Sequence, residues 1–214
     1  MTGGFVRAAR ASDAAGLARV QAASWSATLA ELVPDEVLAE LTSPAALDQF
    51  AERWLEAIVS PPTSRHRVHV AVAEPGSAEV AGFAAAGPAT DEDLWAGTDA
   101  ELYELHVLPE LVSAVPVAAG ASASAVDPAV DPAVDSDEPG GHDSRLLHAV
   151  ADAFAEDGFR TAYTWTLSGD ESRIAFLSSA GWAPDGSRSN LDMGVKVPVL
   201  RLHTQLSPPV EPPA

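Results

Sequence analysis

The chain has 214 residues, 47% of them hydrophobic, which is enough for one domain with a real core. Twelve basic against 31 acidic side chains give a formal charge of −19, which excludes a nucleic-acid interface built on clustered Lys and Arg and disfavours anionic membranes. With no cysteine there is no disulfide framework, thiolate nucleophile or thiolate metal site.

The N-terminus has no apolar signal-peptide core, and no apolar run approaches the roughly 18 residues of a membrane span. A cytoplasmic protein is expected. The excess acid reads as a solvated surface with a weak pull on cations.

Residues 5–9 read as a short strand. Ser12-Asp13 reads as an N-cap for a helix carrying Leu17, Val20, Ala23 and Ala27 at helical spacing. Pro34-Asp35-Glu36 opens a second helix, with acids in its first turn. Ser43-Pro44 opens a third, whose stripe of Phe50, Trp54, Leu55 and Ile58 reads as core or as cover for a substrate cleft. Residues 67–74 alternate Val68, Val70 and Val72, and Pro75-Gly76 turns them into a second strand at 79–85. An acidic loop, 90–99, leads to a strand at 101–108 that Pro109 ends.

Residues 111–141 change character, with Ala, Val, Asp, Pro, Ser and Gly and a tandem V-D-P-A repeat. That composition predicts a disordered insertion within a single domain spanning 1–207. A helix at 144–157 follows, with Leu146, Leu147, Val150 and Phe154 inward and Gly158 behind it. Then come a strand at 160–167, a short helix at 171–180, a last strand at 198–206 and a Pro-rich tail, 208–214. The order β-α-α-α-β-β-β-α-β-α-β predicts an α/β fold, a mixed sheet flanked by helices.

Three segments carry a resemblance. They are Glu101-Leu-Tyr-Glu-Leu-His-Val-Leu-Pro-Glu110, Gly141-His-Asp-Ser-Arg-Leu-Leu147 and Asp170-Glu-Ser-Arg-Ile-Ala-Phe-Leu-Ser-Ser-Ala-Gly-Trp182. In this order and spacing the chain resembles the GNAT superfamily of acyl-CoA-dependent N-acetyltransferases. The resemblance implies acetyl-CoA as co-substrate, a small amine as acceptor, and a fold that allows a homodimer. It implies that the central strand splays from its parallel neighbour, and that the acyl carrier lies along Leu105, His106 and Val107. It places the pyrophosphate at the next helix N-terminus, on Gly140, Gly141, His142, Asp143 and Ser144, where N–H groups and the helix dipole favour an anion. Asp170 stands where the family has an Asn on the carrier.

Glu104 is the candidate base, since attack by an amine needs a proton acceptor; the bland alternative is a solvated or paired strand carboxylate. Glu101 is the second candidate. Tyr103 alternates with Glu104 and should face the other side of the sheet. Tyr163 is a candidate acid, with core packing as its alternative. No metal site is expected, because His66 and His69 should point to opposite faces of one strand. The chain also departs from the family pattern. Glu138 replaces a loop Arg, Asp143 replaces a Gly, and Leu177 replaces the general-acid Tyr. These departures support an alternative expectation, a GNAT-like binding or assembly module that no longer takes acyl-CoA.

Overall fold

The computed structural model describes residues 5–72, 76–111 and 141–206. The expected disordered insertion and the Pro-rich tail lie outside the described residues, as does Pro75 of the first hairpin turn. The elements are β1 (Phe5–Ala8), α1 (Ala14–Leu29), α2 (Asp35–Leu41), α3 (Pro44–Val59), β2 (Arg67–Val72), β3 (Val80–Pro88), β4 (Asp99–Val107), α4 (His142–Glu156), β5 (Thr161–Leu167), α5 (Glu171–Ser179), β6 (Ala183–Asp192) and β7 (Lys196–Gln205). Short 3-10 turns stand at Ala11–Asp13 and Pro109–Leu111. Among the described residues, no helix is long and apolar enough to cross a membrane.

Local chemistry explains most boundaries. The Ser43 hydroxyl accepts the Ala46 N–H at 3.2 Å with Pro44 in the first turn, which starts α3 as expected. Asp13 behaves differently from expectation. It caps no α1 N–H; its carboxylate takes the Arg10 N–H at 2.7 Å and the Arg7 guanidinium at 2.7 Å, fastening the 3-10 turn to β1.

The seven strands run in the order β1-β2-β3-β4-β5-β7-β6. The sheet is antiparallel except between β4 and β5, so it is mixed, as the sequence predicts. The sequence reading lacked β6. Its residues, APDGSRSNLD, carry Pro, Gly and polar groups, and nearly all are exposed on the sheet edge, so no apolar alternation marks them.

Alternation along the strands sorts two cores. Val70, Val80 and Phe83 meet Leu17 and Val20 of α1, with Trp54 and Ile58 of α3 packed against them. Ala71, Ala84, Leu105 and Val107 face the other way, toward Leu146 and Val150 of α4 and Phe176 and Leu177 of α5. The Trp54 indole N–H donates to Gln21 Oε1 at 3.0 Å and locks α3 onto α1. Leu55 falls off the predicted stripe and is exposed.

Two irregularities in β4 position the site. The ladder to β3 shifts register between Ala85 and Ala86, which pair with Glu104 and Leu102, so Tyr103 sits in a bulge. A bulge adds one residue and re-aims the side chains beyond it. Leu102 and Leu105 therefore join the same core, while Glu104 and His106 turn to the α1 side. The parallel ladder to β5 ends after three pairs, the last joining Glu101 and Tyr163. Beyond it the strands part, and the Thr164 hydroxyl reaches Leu102 O at 2.9 Å.

The environment of His69 predicts a pH-sensitive contribution to the fold. His69 on β2 is largely withdrawn from water, and burial, helped by Arg67 and opposed by Glu156, holds its pKa below the ordinary value. Its Nδ1 is buried with no hydrogen-bond partner among the described residues. The unfolded chain then binds more protons below the ordinary histidine pKa, so stability falls as pH drops from about 8 to about 5.5. Urea midpoints at those two pH values should differ less in His69→Gln than in the wild type; equal slopes would contradict this assignment.

Candidate active site

A cavity of about 280 Å³ opens where β4 and β5 part. Leu102 to His106 form one wall and Thr164 to Leu167 the other. Ser24, Trp25, Thr28 and Leu29 of α1 cover it, Asp170, Arg173 and Leu177 close the α5 side, and Leu191, Met193 and Val199 of the β6–β7 hairpin complete it. The lining is mostly apolar, with Glu104, Asp170 and Arg173 as its charged groups.

Glu104 stands in this wall with its side chain one-third exposed (33%). Its Oε2 lies 2.5 Å from Nε2 of the buried His106, and His106 Nδ1 lies 2.9 Å from the Ser24 hydroxyl. The sequence reading gave His106 only a backbone role; the structure places its side chain behind the candidate base. Tyr103, in the bulge between Leu102 and Glu104, also lines the cavity. Its hydroxyl donates to Pro88 O at 2.5 Å, and burial, with Glu101 adding, raises its pKa far out of the working range. Glu101 does not reach the cavity. Its buried carboxylate accepts the Thr90 N–H at 3.0 Å and hydroxyl at 2.7 Å. Tyr163 stacks on His203 and lies under Arg201, outside the cavity lining.

The expected acyl-carrier track is only partly free. The Leu105 carbonyl accepts a hydrogen bond from Arg173 Nη2 at 2.5 Å. Burial lowers the Arg173 pKa, against the pull of Asp170, Asp143 and Glu104. Sequence reasoning missed Arg173, although it stands three and four residues before the inward-facing Phe176 and Leu177 and so shares their face. Asp170 N-caps α5, accepting the Arg173 N–H at 2.9 Å, and it lines the cavity.

At the α4 N-terminus Gly140 lies outside the described residues. Gly141 is the N-cap, and its carbonyl accepts the Arg145 N–H at 3.2 Å. His142 follows, its pKa lowered by burial and by Arg145. Asp143 is buried, and its Oδ1 already accepts the Ser144 N–H at 2.9 Å. A carboxylate thus occupies part of the anion site that the resemblance assigned to pyrophosphate.

Three carboxylates of the acidic loop already have partners. Asp91 and Asp93 pair with Arg201, and Asp99 accepts the Trp95 N–H at 2.9 Å.

Solved structures with the same architecture include proteins named as acetyltransferases. The chain superposes on the PaiA N-acetyltransferase of Thermoplasma acidophilum, solved with coenzyme A, at a TM-score of 0.60 with 16% identity, covering 94% of this chain and 98% of that one. It superposes on YncA of Salmonella typhimurium, solved with acetyl-CoA, at 0.59 with 16% identity, covering 99% and 98%. The ribosomal-protein-alanine N-acetyltransferase of Brucella melitensis gives 0.59 with 18% identity over 94% and 99%. The chain has the GNAT fold. The splayed β4–β5 pair and the resemblance read from three sequence segments agree on this point. Among curated proteins, the uncharacterized N-acetyltransferase YuaI of Bacillus subtilis is 32% identical over 105 residues, 49% of this chain. The chain spans about half of that relative's length (53%). No family model matches the sequence.

Proposed function

We propose that this GNAT-fold chain transfers an acyl group, most simply acetyl, from acyl-CoA to a small amine in the cytoplasm. The observation that carries the reading is Glu104, a partly exposed carboxylate in the wall of a cavity between splayed strands. The amine nitrogen attacks the thioester carbonyl, and backbone N–H groups of β4 stabilise the oxyanion. Glu104 takes the amine proton as the C–N bond forms. The C–S bond then breaks, and solvent protonates the thiolate, since the buried Leu177 has no proton to give. The Trp25, Trp165, Leu191 and Met193 surfaces favour an acceptor whose ammonium group carries an apolar body. A homodimer belongs to the same proposal and is checked by sedimentation.

The first test is a thermal titration with acetyl-CoA, confirmed by calorimetry. At about a hundred times Kd the ligand adds ~2.7 kcal/mol, roughly a 5–11 °C rise for a domain of this size. Turnover with an amine panel completes it. Folded protein that turns over no amine refutes the proposal.

A second reading, a GNAT-like module that binds partners instead of acyl-CoA, is favoured by two contacts. Asp143 holds the Ser144 N–H, and Arg173 holds the Leu105 carbonyl. On this reading Asp143→Gly should tighten acetyl-CoA binding by about 5- to 1,000-fold, the range of one like-charge contact at ~4 Å across effective dielectrics of 80 to 20. Unchanged, tight binding in the variant removes the basis for the second reading.

A further inference from the structure

Glu104 does not stand alone in the cavity wall. The buried His106 imidazole lies between the Ser24 hydroxyl, 2.9 Å from Nδ1, and Glu104 Oε2, 2.5 Å from Nε2. Phe83 and Trp25 hold the ring, with centroids at 5.2 Å and 6.4 Å. A carboxylate only accepts, so Nε2 carries the proton and donates it to Glu104. A neutral ring then has its lone pair on Nδ1, and the Ser24 hydroxyl donates to that nitrogen. The chain of donors runs one way, from Ser24 through His106 to Glu104.

We infer that Ser24 and His106 are positioning residues for Glu104 in the proposed acyl transfer, on which this inference rests. Ser24 holds the ring through Nδ1, the carboxylate fixes the tautomer, and His106 ties down one carboxylate oxygen. The other oxygen is left to take the amine proton. When the C–N bond forms and the C–S bond breaks, that proton goes to Glu104 and from there to solvent. His106 keeps its Nε2 proton throughout. Glu104 and His106 stand two apart on β4 and so share a face, and the bulge before them sets which face that is relative to Leu102.

The groups facing the pair are few. Asp170 and Arg173 come from α5, and Asp143 acts from α4 through Arg173. α1 and β3 present Ser24, Trp25 and Phe83, none of which titrates. Removing the Ser24 hydroxyl leaves Nδ1 without its partner and frees the ring to turn, so Glu104 loses the fixed donor on Oε2.

The test compares wild type, Ser24→Ala and Ser24→Thr on one amine that the wild type acetylates, with histidine-15N spectra of all three. Ser24→Ala should lower kcat roughly 10-fold at unchanged KM for acetyl-CoA, in the range usual for loss of a supporting hydrogen bond. Ser24→Thr, which keeps the hydroxyl, should restore kcat. Wild-type His106 should show the Nε2–H tautomer. Active wild type with a kinetically unaffected Ser24→Ala, or with His106 in the Nδ1–H form, overturns this inference alone. Wild type without turnover overturns the proposed reaction, and this inference with it.

Discussion

Replacing Arg201 by methionine is expected to destabilise the fold by about 3 kcal/mol and lower its Tm by roughly 6–12 °C. Arg201 is buried on β7 at 4% exposure, yet its guanidinium meets three carboxylates. Nε donates to Asp185 at 2.6 Å, Nη1 to Asp91 at 2.7 Å and Nη2 to Asp93 at 2.6 Å, and the Ser187 hydroxyl accepts from Nη2 at 2.9 Å. Asp91 also takes the Trp165 indole N–H at 2.9 Å, and Tyr163 and Trp165 lie under the guanidinium. One cation thus joins the acidic loop, β5, β6 and β7. Methionine fills the space but leaves the carboxylates facing one another. Asp93 is largely exposed and screened by water, which sets the effect at the low end of the ~3–5 kcal/mol typical of broken buried pairs.

The pH dependence of that difference follows from the carboxylates. The hydrogen bond from Arg201 lowers the Asp93 pKa. Burial pushes Asp185 upward, but the Ser187 N–H and Arg201 outweigh it and the pKa falls. Depressed carboxylates stabilise the fold above their unfolded pKa, about 3.9, and lose that contribution as pH falls through the folded values. The gap between wild type and Arg201→Met in urea unfolding should therefore be full near pH 7 and shrink below about pH 4. A variant melting within about 2 °C of wild type would show that the cluster contributes little net stability.

Glu104→Gln is expected to lower kcat by about 10²- to 10⁴-fold while leaving KM for acetyl-CoA unchanged. Glutamine has the same shape, and its amide oxygen can still accept the His106 Nε2–H. What it lacks is a site for the amine proton. The deficit should narrow at high pH, where more of the acceptor amine is already neutral. Steady-state rates across pH, on protein with an unchanged melting curve, make the comparison. Full activity in the variant would return Glu104 to a structural partner of His106.

Helix and strand types were legible because their signals are local. The inward faces of α3 and α4 repeat at helical spacing, β2 alternates, and Ser43-Pro44 announces a helix start. Glu104 came into view as the candidate base through the resemblance, which matches its strand and the Pro-Glu exit after it to the family's central strand. β6 was not legible, because an exposed edge strand needs no apolar residues and its partner on β7 supplies the pairing. The roles of Asp91 and Asp93 in the acidic loop were not legible either, since nothing in their neighbourhood shows the arginine that meets them 110 and 108 residues later.

The amino-acid order alone was enough to specify the helices and every strand but β6, because backbone geometry and side-chain periodicity act within a few residues, and the family resemblance pointed to the strand with the candidate base. The working arrangement arose only on folding. A register shift against β3 turns Glu104 and His106 toward α1, a ladder that stops at Tyr163 opens the cavity, and Ser24 reaches a histidine 82 residues away. Those are properties of strands and helices held against each other, and no local pattern encodes them.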